Sequence, residues 1–248
     1  FTLLGRAVNA TGDASAFTRM PPSTLPGYPG KKKKYCLCCG ITVAATDQPM
    51  INQGWANATW EQKQQIIEDH TYFELGSFYY LSHDPSVPEA TRSLFNKYGL
   101  CADEFQNFSY IPPQLYVRIS NRLVGDYVMT QNNITDIDGT RTKPNSIAVG
   151  DWSLDEHMTG KYAVPVEGHP GEYVVMLEGN FWPSVAPTGG NWYDVPYPIM
   201  VPKRGTGGNL LVPVALSSSA VAFSSTRIEN MYMSVGSAAG VAAQQLVD

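Results

Sequence analysis

The segment from Thr226 to Leu246 constrains this chain most. Ile228, Met231, Val235, Ala238, Ala239, Ala242 and Leu246 recur at the three-and-four spacing of a single helix face. Ahead of them Thr226-Arg-Ile-Glu229 has capping-box spacing, in which a Thr hydroxyl and a Glu carboxylate satisfy the free amides of a helix start. The helix is small-faced, with Gly236, Ala238, Ala239, Gly240, Ala242 and Ala243 close together. Two internal glycines each cost about 1 kcal/mol relative to alanine, so stability alone would avoid them. They let something come near: a sheet packed tightly on the helix, or a flat ligand. Just upstream, Asn209-Leu-Leu-Val-Pro-Val-Ala-Leu216 reads as a buried strand that ends or bulges at Pro213.

Other elements are legible from caps and punctuation. Thr59-Trp-Glu-Gln62 has capping-box spacing and predicts a helix from about Trp60 to Leu75. Ser86-Val-Pro-Glu89 repeats the device with Pro88 in the first turn and Gly99 as a left-handed stop, giving a second helix with Leu94, Phe95 and Tyr98 inward. Gln114 to Ser120 and Gly171 to Leu177 are strand-like, while Pro144 to Gly160 and Pro183 to Trp192 are turn-rich. Residues 5–17 read as a short apolar strand running into a turn at Gly12. Pro21 to Gly30 is a loop and Lys31 to Lys34 a solvated surface turn.

Composition limits what such a chain can do. With 248 residues and 43% hydrophobic side chains it can bury a sizeable core. A net charge of −5 argues against a nucleic-acid partner, because phosphate binding rests on Lys and Arg. No run reaches the ~20 apolar residues of a bilayer span; the longest candidate, Leu210 to Phe223, is broken by serines. Cys36, Cys38 and Cys39 form a C-x-C-C cluster that misses the C-x2-C zinc knuckle, and Cys101 stands apart. Four sequons, at Asn9, Asn57, Asn107 and Asn133, join the even cysteine count in pointing to an oxidising, extracellular compartment. Cys101 is therefore expected to bridge to Cys36, Cys38 or Cys39, and glycan to sit on Asn57, Asn107 or Asn133. Asp151, Asp155, Glu156 and His157 crowd one turn but match no metal-binding loop, so no metal site is assigned. Neither G-x-S-x-G nor H-E-x-x-H occurs, against a hydrolase of those types. Trp152, Trp182, Trp192, Tyr193 and Tyr197 either wall a substrate pocket or fill the core.

Strand, serine-rich turn, Thr-Arg-Ile-Glu-Asn-Met and Ser-Val-Gly-Ser-Ala-Ala-Gly-Val-Ala-Ala, in that order, resemble the C-terminal end of FAD-dependent oxidoreductases with the glutathione-reductase type of Rossmann fold. The similarity is greatest to the xanthan-lyase-like group. Ala10-Thr-Gly-Asp13, Arg122 to Thr130, Ser146 to Lys161 and Pro196 to Lys203 carry it further. The resemblance implies an α/β (α+β) architecture: an incomplete FAD-binding Rossmann-type domain with an inserted sheet-rich substrate domain. Residues 1–20 and 196–248 would belong to the FAD-binding domain, and 21–195 to a helical and sheet-rich substrate region. It further implies that the terminal helix points its N-terminus at the flavin pyrimidine edge, where free amides and the positive dipole end favour negative charge on the reduced ring. Arg227, Asn230, Met231 and Tyr232 would then lie near the flavin, the last three through their amides, and Gly12 and Asp13 nearer the FAD diphosphate, with Asn9 buried and unglycosylated.

Three departures from the family pattern shape the expectations. The fingerprint G-x-G-x-x-G, with an acidic residue about 20 positions on, is absent; Gly205-Thr-Gly-Gly208 precedes a strand-like run, not a helix. Ala220 stands where relatives often carry a His, and Asn230 where they often carry Pro. The expected protein is therefore the C-terminal portion of a secreted FAD-dependent oxidoreductase, with a small-molecule or carbohydrate-like substrate. Its fingerprint would come from an upstream segment or companion chain, and a homo-oligomer is open. The rival expectation is a non-catalytic secreted structural or binding glycoprotein on the same scaffold.

Overall fold

The structure is a computed structural model that describes residues 47–97, 99–136, 139–179 and 192–246. In chain order the described elements are α1 (Trp60–His83), α2 (Glu89–Phe95), α3 (Gln131–Thr135), β1 (Ser146–Gly150), β2 (Gly160–Pro165), β3 (Tyr173–Glu178), β4 (Tyr193–Pro196), α4 (Ala220–Thr226) and α5 (Glu229–Gln245). Short 3-10 turns occupy Trp55–Asn57, Gln106–Phe108 and Tyr197–Met200. The fold is mixed helix and sheet, and both described sheets are two-stranded and antiparallel. The chain forms two compact units, one of residues 1–116 and 157–180 and the other of residues 117–156 and 181–248.

The first unit holds α1, α2 and the β2–β3 hairpin. α1 starts where its capping box predicts. The Gln62 amide donates to Thr59 Oγ1 at 3.3 Å, and the Thr59 amide to Gln62 Oε1 at 2.8 Å. It runs eight residues beyond Leu75, to His83, because nothing in Gly76-Ser-Phe-Tyr-Tyr-Leu is a hard stop, and it buries Tyr80 and Leu81. The second capping box does not form: Pro88 is the cap, and Ser86 turns back to Asp84 Oδ1 at 2.6 Å. Nor does Gly99 end this helix, which stops at Phe95 with Asn96 Nδ2 donating to Ser82 O at 2.8 Å. Phe95 is buried and Leu94 half-buried. The strand expected at 171–177 appears as β3, paired in register with β2 from Gly160↔Glu178 to Pro165↔Tyr173. Gln114 to Ser120 forms no strand.

The second unit contains α3, β1, β4, α4 and α5 around one apolar core. Met129, Leu154, Tyr193, Val195, Ile199, Met200, Leu216, Phe223, Met231 and Val235 meet there. Residues 146–150, expected as part of a turn-rich stretch, form β1 antiparallel to β4, with a register shift between Ser146 and Ala148. Gly150 makes that pairing possible: an added Cβ would lie 2.3 Å from the Tyr193 ring that covers it. Conversely, Asn209 to Leu216 is no strand. Its hydrogen bonds change partner at each step, Val212 donating to Met200 O at 2.9 Å, Leu216 to Val214 O at 3.0 Å and Ser217 to Ile199 O at 2.8 Å. Pro213 has no amide to continue a ladder. Parallel pairing among the described residues is confined to the bridge Met129↔Ser218. No parallel sheet forms around this segment among the described residues, and the short strand expected within residues 5–17 lies outside them.

Candidate functional site

The serine-rich turn is mostly helix, and its hydroxyls stitch the second unit together. Ser219 caps α4 by accepting from the Ala222 amide at 3.1 Å. Ser217 Oγ donates to Tyr127 O at 2.5 Å and accepts from the Gly125 amide at 3.1 Å. Ser224 Oγ accepts from the Asp155 amide, and Ser225 Oγ meets Tyr193 Oη and Trp152 O, both at 2.6 Å. Each buried hydroxyl answers a backbone or side-chain group that would otherwise go unpaired. Burial pushes the Tyr193 phenol up to about 12, against the opposing pull of its bond to Ser225.

Three of the stretches that carried the family resemblance come together here. Arg122 Nε donates to Ser218 O at 3.0 Å, and its guanidinium lies 6.0 Å from the Phe223 ring centre. Leu123, Met129 and Ser219 exchange backbone bonds that lace residues 122–130 to 215–219. At Gly125 an added Cβ would lie 2.8 Å from Val201 O and 2.9 Å from Ser217 Oγ, so the two chains approach as only glycine allows. Lys203 donates to Val124 O at 2.9 Å, drawing the 196–203 stretch into the same weave.

From this base α5 departs. The capping box expected at Thr226–Glu229 does not form, because Thr226 is the buried last residue of α4 and Ile228 is the cap of α5. Met231 and Tyr232 both donate to Ile228 O, at 2.9 and 3.3 Å. The first-turn amides that precede these bonds are those of Glu229 and Asn230, so of the expected trio 230–232 only Asn230 keeps its amide outside them. Both residues are exposed. Asn230 Oδ1 accepts from the Met231 amide at 2.8 Å, while the Met231 side chain is in the core and Tyr232 packs half-buried against it. Arg227 is buried, and its Nη2 holds Asp155 through Oδ2 at 2.9 Å and the main-chain O at 3.2 Å. Its guanidinium therefore fixes the α4–α5 joint to the 151–156 turn. Of the expected inward face only Met231 and Val235 are buried, and Leu246 is 81% exposed. Beyond its chain neighbours and the helix's own backbone, nothing among the described residues lies within 4 Å of a Cβ added at Gly236 or Gly240. Gly12 and Asp13 lie outside the described residues.

The crowded turn 151–157 divides its labour. Asp155 serves Arg227, whereas His157 belongs to the first unit and pairs through Nδ1 with Asp47 Oδ2. Lys161 Nζ donates to Asp47 O at 3.0 Å and lies 5.7 Å from the Phe73 ring centre; burial holds its pKa below the lysine range. Glu74 is pushed up, first by desolvation and then by Asp47. His157 is thus an imidazole oriented by a carboxylate, and sequence reading missed the pair. Asp47 and His157 are 110 residues apart, and no local spacing announces such a pair.

The remaining expectations fall unevenly. Cys101 is a free, half-buried thiol, and no bridge from it is seen among the described residues. Cys36, Cys38, Cys39 and Trp182 lie outside the described residues. Asn57 and Asn107 are exposed. Asn133 is not the free surface residue its sequon suggested: Nδ2 donates to Thr140 Oγ1 at 2.8 Å and Oδ1 accepts from the Thr130 amide at 2.9 Å. Tyr193 fills the core, while Trp192 stacks under Arg141, whose guanidinium is 4.7 Å from the ring centre.

The family model described as FAD dependent oxidoreductase matches residues 6–248. No curated protein and no solved structure matches. The match spans nearly the whole chain, and the protein belongs to the FAD dependent oxidoreductase family.

Proposed function

We propose that this chain forms the flavin-facing C-terminal part of an FAD-dependent oxidoreductase of the glutathione-reductase type, with the start of α5 turned toward the flavin ring. What carries the reading is the exposed first turn of α5 above a rigid base. Glu229 and Asn230 stand at the solvent side of a joint pinned by the Arg227–Asp155 pair. Their amides suit a neutral or singly charged acceptor. The Glu229 carboxylate beside them disfavours a diphosphate, so the pyrimidine edge is the better fit. The open face at Gly236 and Gly240 leaves room for a flat group or for a further backbone.

When bound, FAD supplies the redox chemistry. The chain's own part is to present amides to the ring, hold the joint rigid and keep water from the core beneath it. Gly12 and Asp13 would serve the diphosphate, and the glycine fingerprint would come from an upstream segment or companion chain. The substrate is proposed as a small or carbohydrate-like molecule, and the protein as secreted.

Substituting Asn230→Asp tests the orientation. An acidic side chain in the first turn favours the helix itself and keeps the oxygen that accepts from Met231, so the fold should persist. It also adds negative charge where the flavin ring is placed. Flavin affinity should fall several-fold and the bound flavin's potential should move to more negative values. Unchanged affinity and potential would place the flavin away from α5.

A further inference from the structure

On the reading of this chain as secreted, we infer that Asn57 carries an N-linked glycan whose first sugar lies against Trp55 and Trp60 and steadies the start of α1. The sequence brings these groups together: Trp55 stands two residues before the sequon asparagine, Thr59 two after it and Trp60 three after it. Two residues of extended chain span about 7 Å. Here Trp55 and Asn57 are closer still in the chain's course, as the two ends of one 3-10 turn closed by the Ala58 amide donating to Trp55 O at 3.3 Å. Asn57 is exposed at the end of that turn.

Both rings are already oriented. Lys63 Nζ lies 5.5 Å from the Trp55 ring centre and 5.3 Å from that of Trp60, so one ammonium bridges the two indoles. Trp60 is nonetheless 82% exposed, at the first position of the helix. A pyranose suits such a pair: its C–H face is apolar and stacks on an indole while its hydroxyls stay in water. Rings that are already ordered lose little freedom on taking it up. The spacing recurs at the other exposed sequon. Phe105, 43% exposed, stands two residues before Asn107, and Phe108, 55% exposed, follows it. Asn133, by contrast, has Gln131 at that position, and its amide nitrogen already serves Thr140. Among the described sequons, exposed aromatic side chains thus gather where the asparagine is open. Asn57 differs from Asn107 in lying beside a helix cap: Thr59, the hydroxyl residue of its sequon, also accepts from the Gln62 amide at 3.3 Å. A sugar held on the two indoles therefore shields the first turn of α1.

The test uses the protein carrying this chain, made through a secretory pathway, with glycopeptide mass spectrometry and amide exchange in the first turn of α1. The bare reference is Asn57→Gln, which leaves the cap formed by Thr59 and Gln62 in place. Asn57 should be occupied, and the Gln62 and Lys63 amides should exchange about fivefold more slowly than in the bare reference. Trp60→Ala, an exposed substitution at a helical position, should keep α1 and the glycan but abolish most of that difference, measured against its own Asn57→Gln counterpart. Slowing that persists undiminished in Trp60→Ala, or no slowing at all, would overturn the inference. A bare Asn57 beside an occupied Asn107 would overturn it and spare the secreted reading; no glycan at either would count against both.

Discussion

At the scale of single residues, the second unit is held by groups that cannot be exchanged for their near relatives. Arg227 is buried against Asp155, and removing the carboxylate would strand a guanidinium in the core. Breaking a buried pair in this way costs about 3 kcal/mol. Asp155→Ala should therefore lower unfolding free energy by that order in urea titration, with the loss concentrated in the unit that contains α5. Tyr193 offers a test in pH. Its phenol lies at about 12 in the fold against an ordinary value of 10.0, so folding favours the protonated form. That contribution is whole below pH 10 and is lost as pH rises toward 12, an alkaline decline of about 2 to 3 kcal/mol. Tyr193→Phe should flatten this limb of the stability curve relative to wild type. An equally steep limb in the variant would assign the decline to other tyrosines.

At the scale of elements, helix starts read well only where a side chain closes the cap. Thr59 and Gln62 form their reciprocal box, and α1 begins as its spacing says. Thr59→Ala should cost about 1 kcal/mol and speed amide exchange in the first turn of α1. The same spacing misled at Ser86 and Thr226, where a proline or an abutting helix provided the start instead. A capping box is two hydrogen bonds, and the spacing cannot say whether a competing partner such as Asp84 is nearer. The serine-rich segment shows the same limit. Its composition suggested a turn, yet Ser217, Ser219, Ser224 and Ser225 are serines because of groups that only the folded chain brings to them. Asn133 was legible as a sequon but not as the partner of Thr130 and Thr140. On protein made through a secretory pathway, glycopeptide mass spectrometry should find glycan at Asn57 or Asn107 and none at Asn133. An occupied Asn133 would mean that this turn is open.

At the scale of the whole molecule, the part of the sequence that looked most specific is also the part the fold organises around one core. Residues 122–130, 196–203 and 217–236 converge on that core and carry α5 away from it. Their order along the chain was readable, whereas the buried Arg227–Asp155 pair and the Asp47–His157 pair were not, since each joins residues far apart in sequence. Within this account a flavin needs more than α5 offers. The diphosphate calls for a second helix start opened by a glycine turn, and the adenine ribose for an acidic side chain beyond it. The direct measurement is flavin absorption and FAD content of two proteins side by side: residues 1–248 alone, and the same chain with the segment that supplies G-x-G-x-x-G. The longer protein should be soluble, yellow and hold FAD stoichiometrically, and residues 1–248 alone should be insoluble or flavin-free. A soluble, colourless longer protein that does not take up added FAD would contradict it.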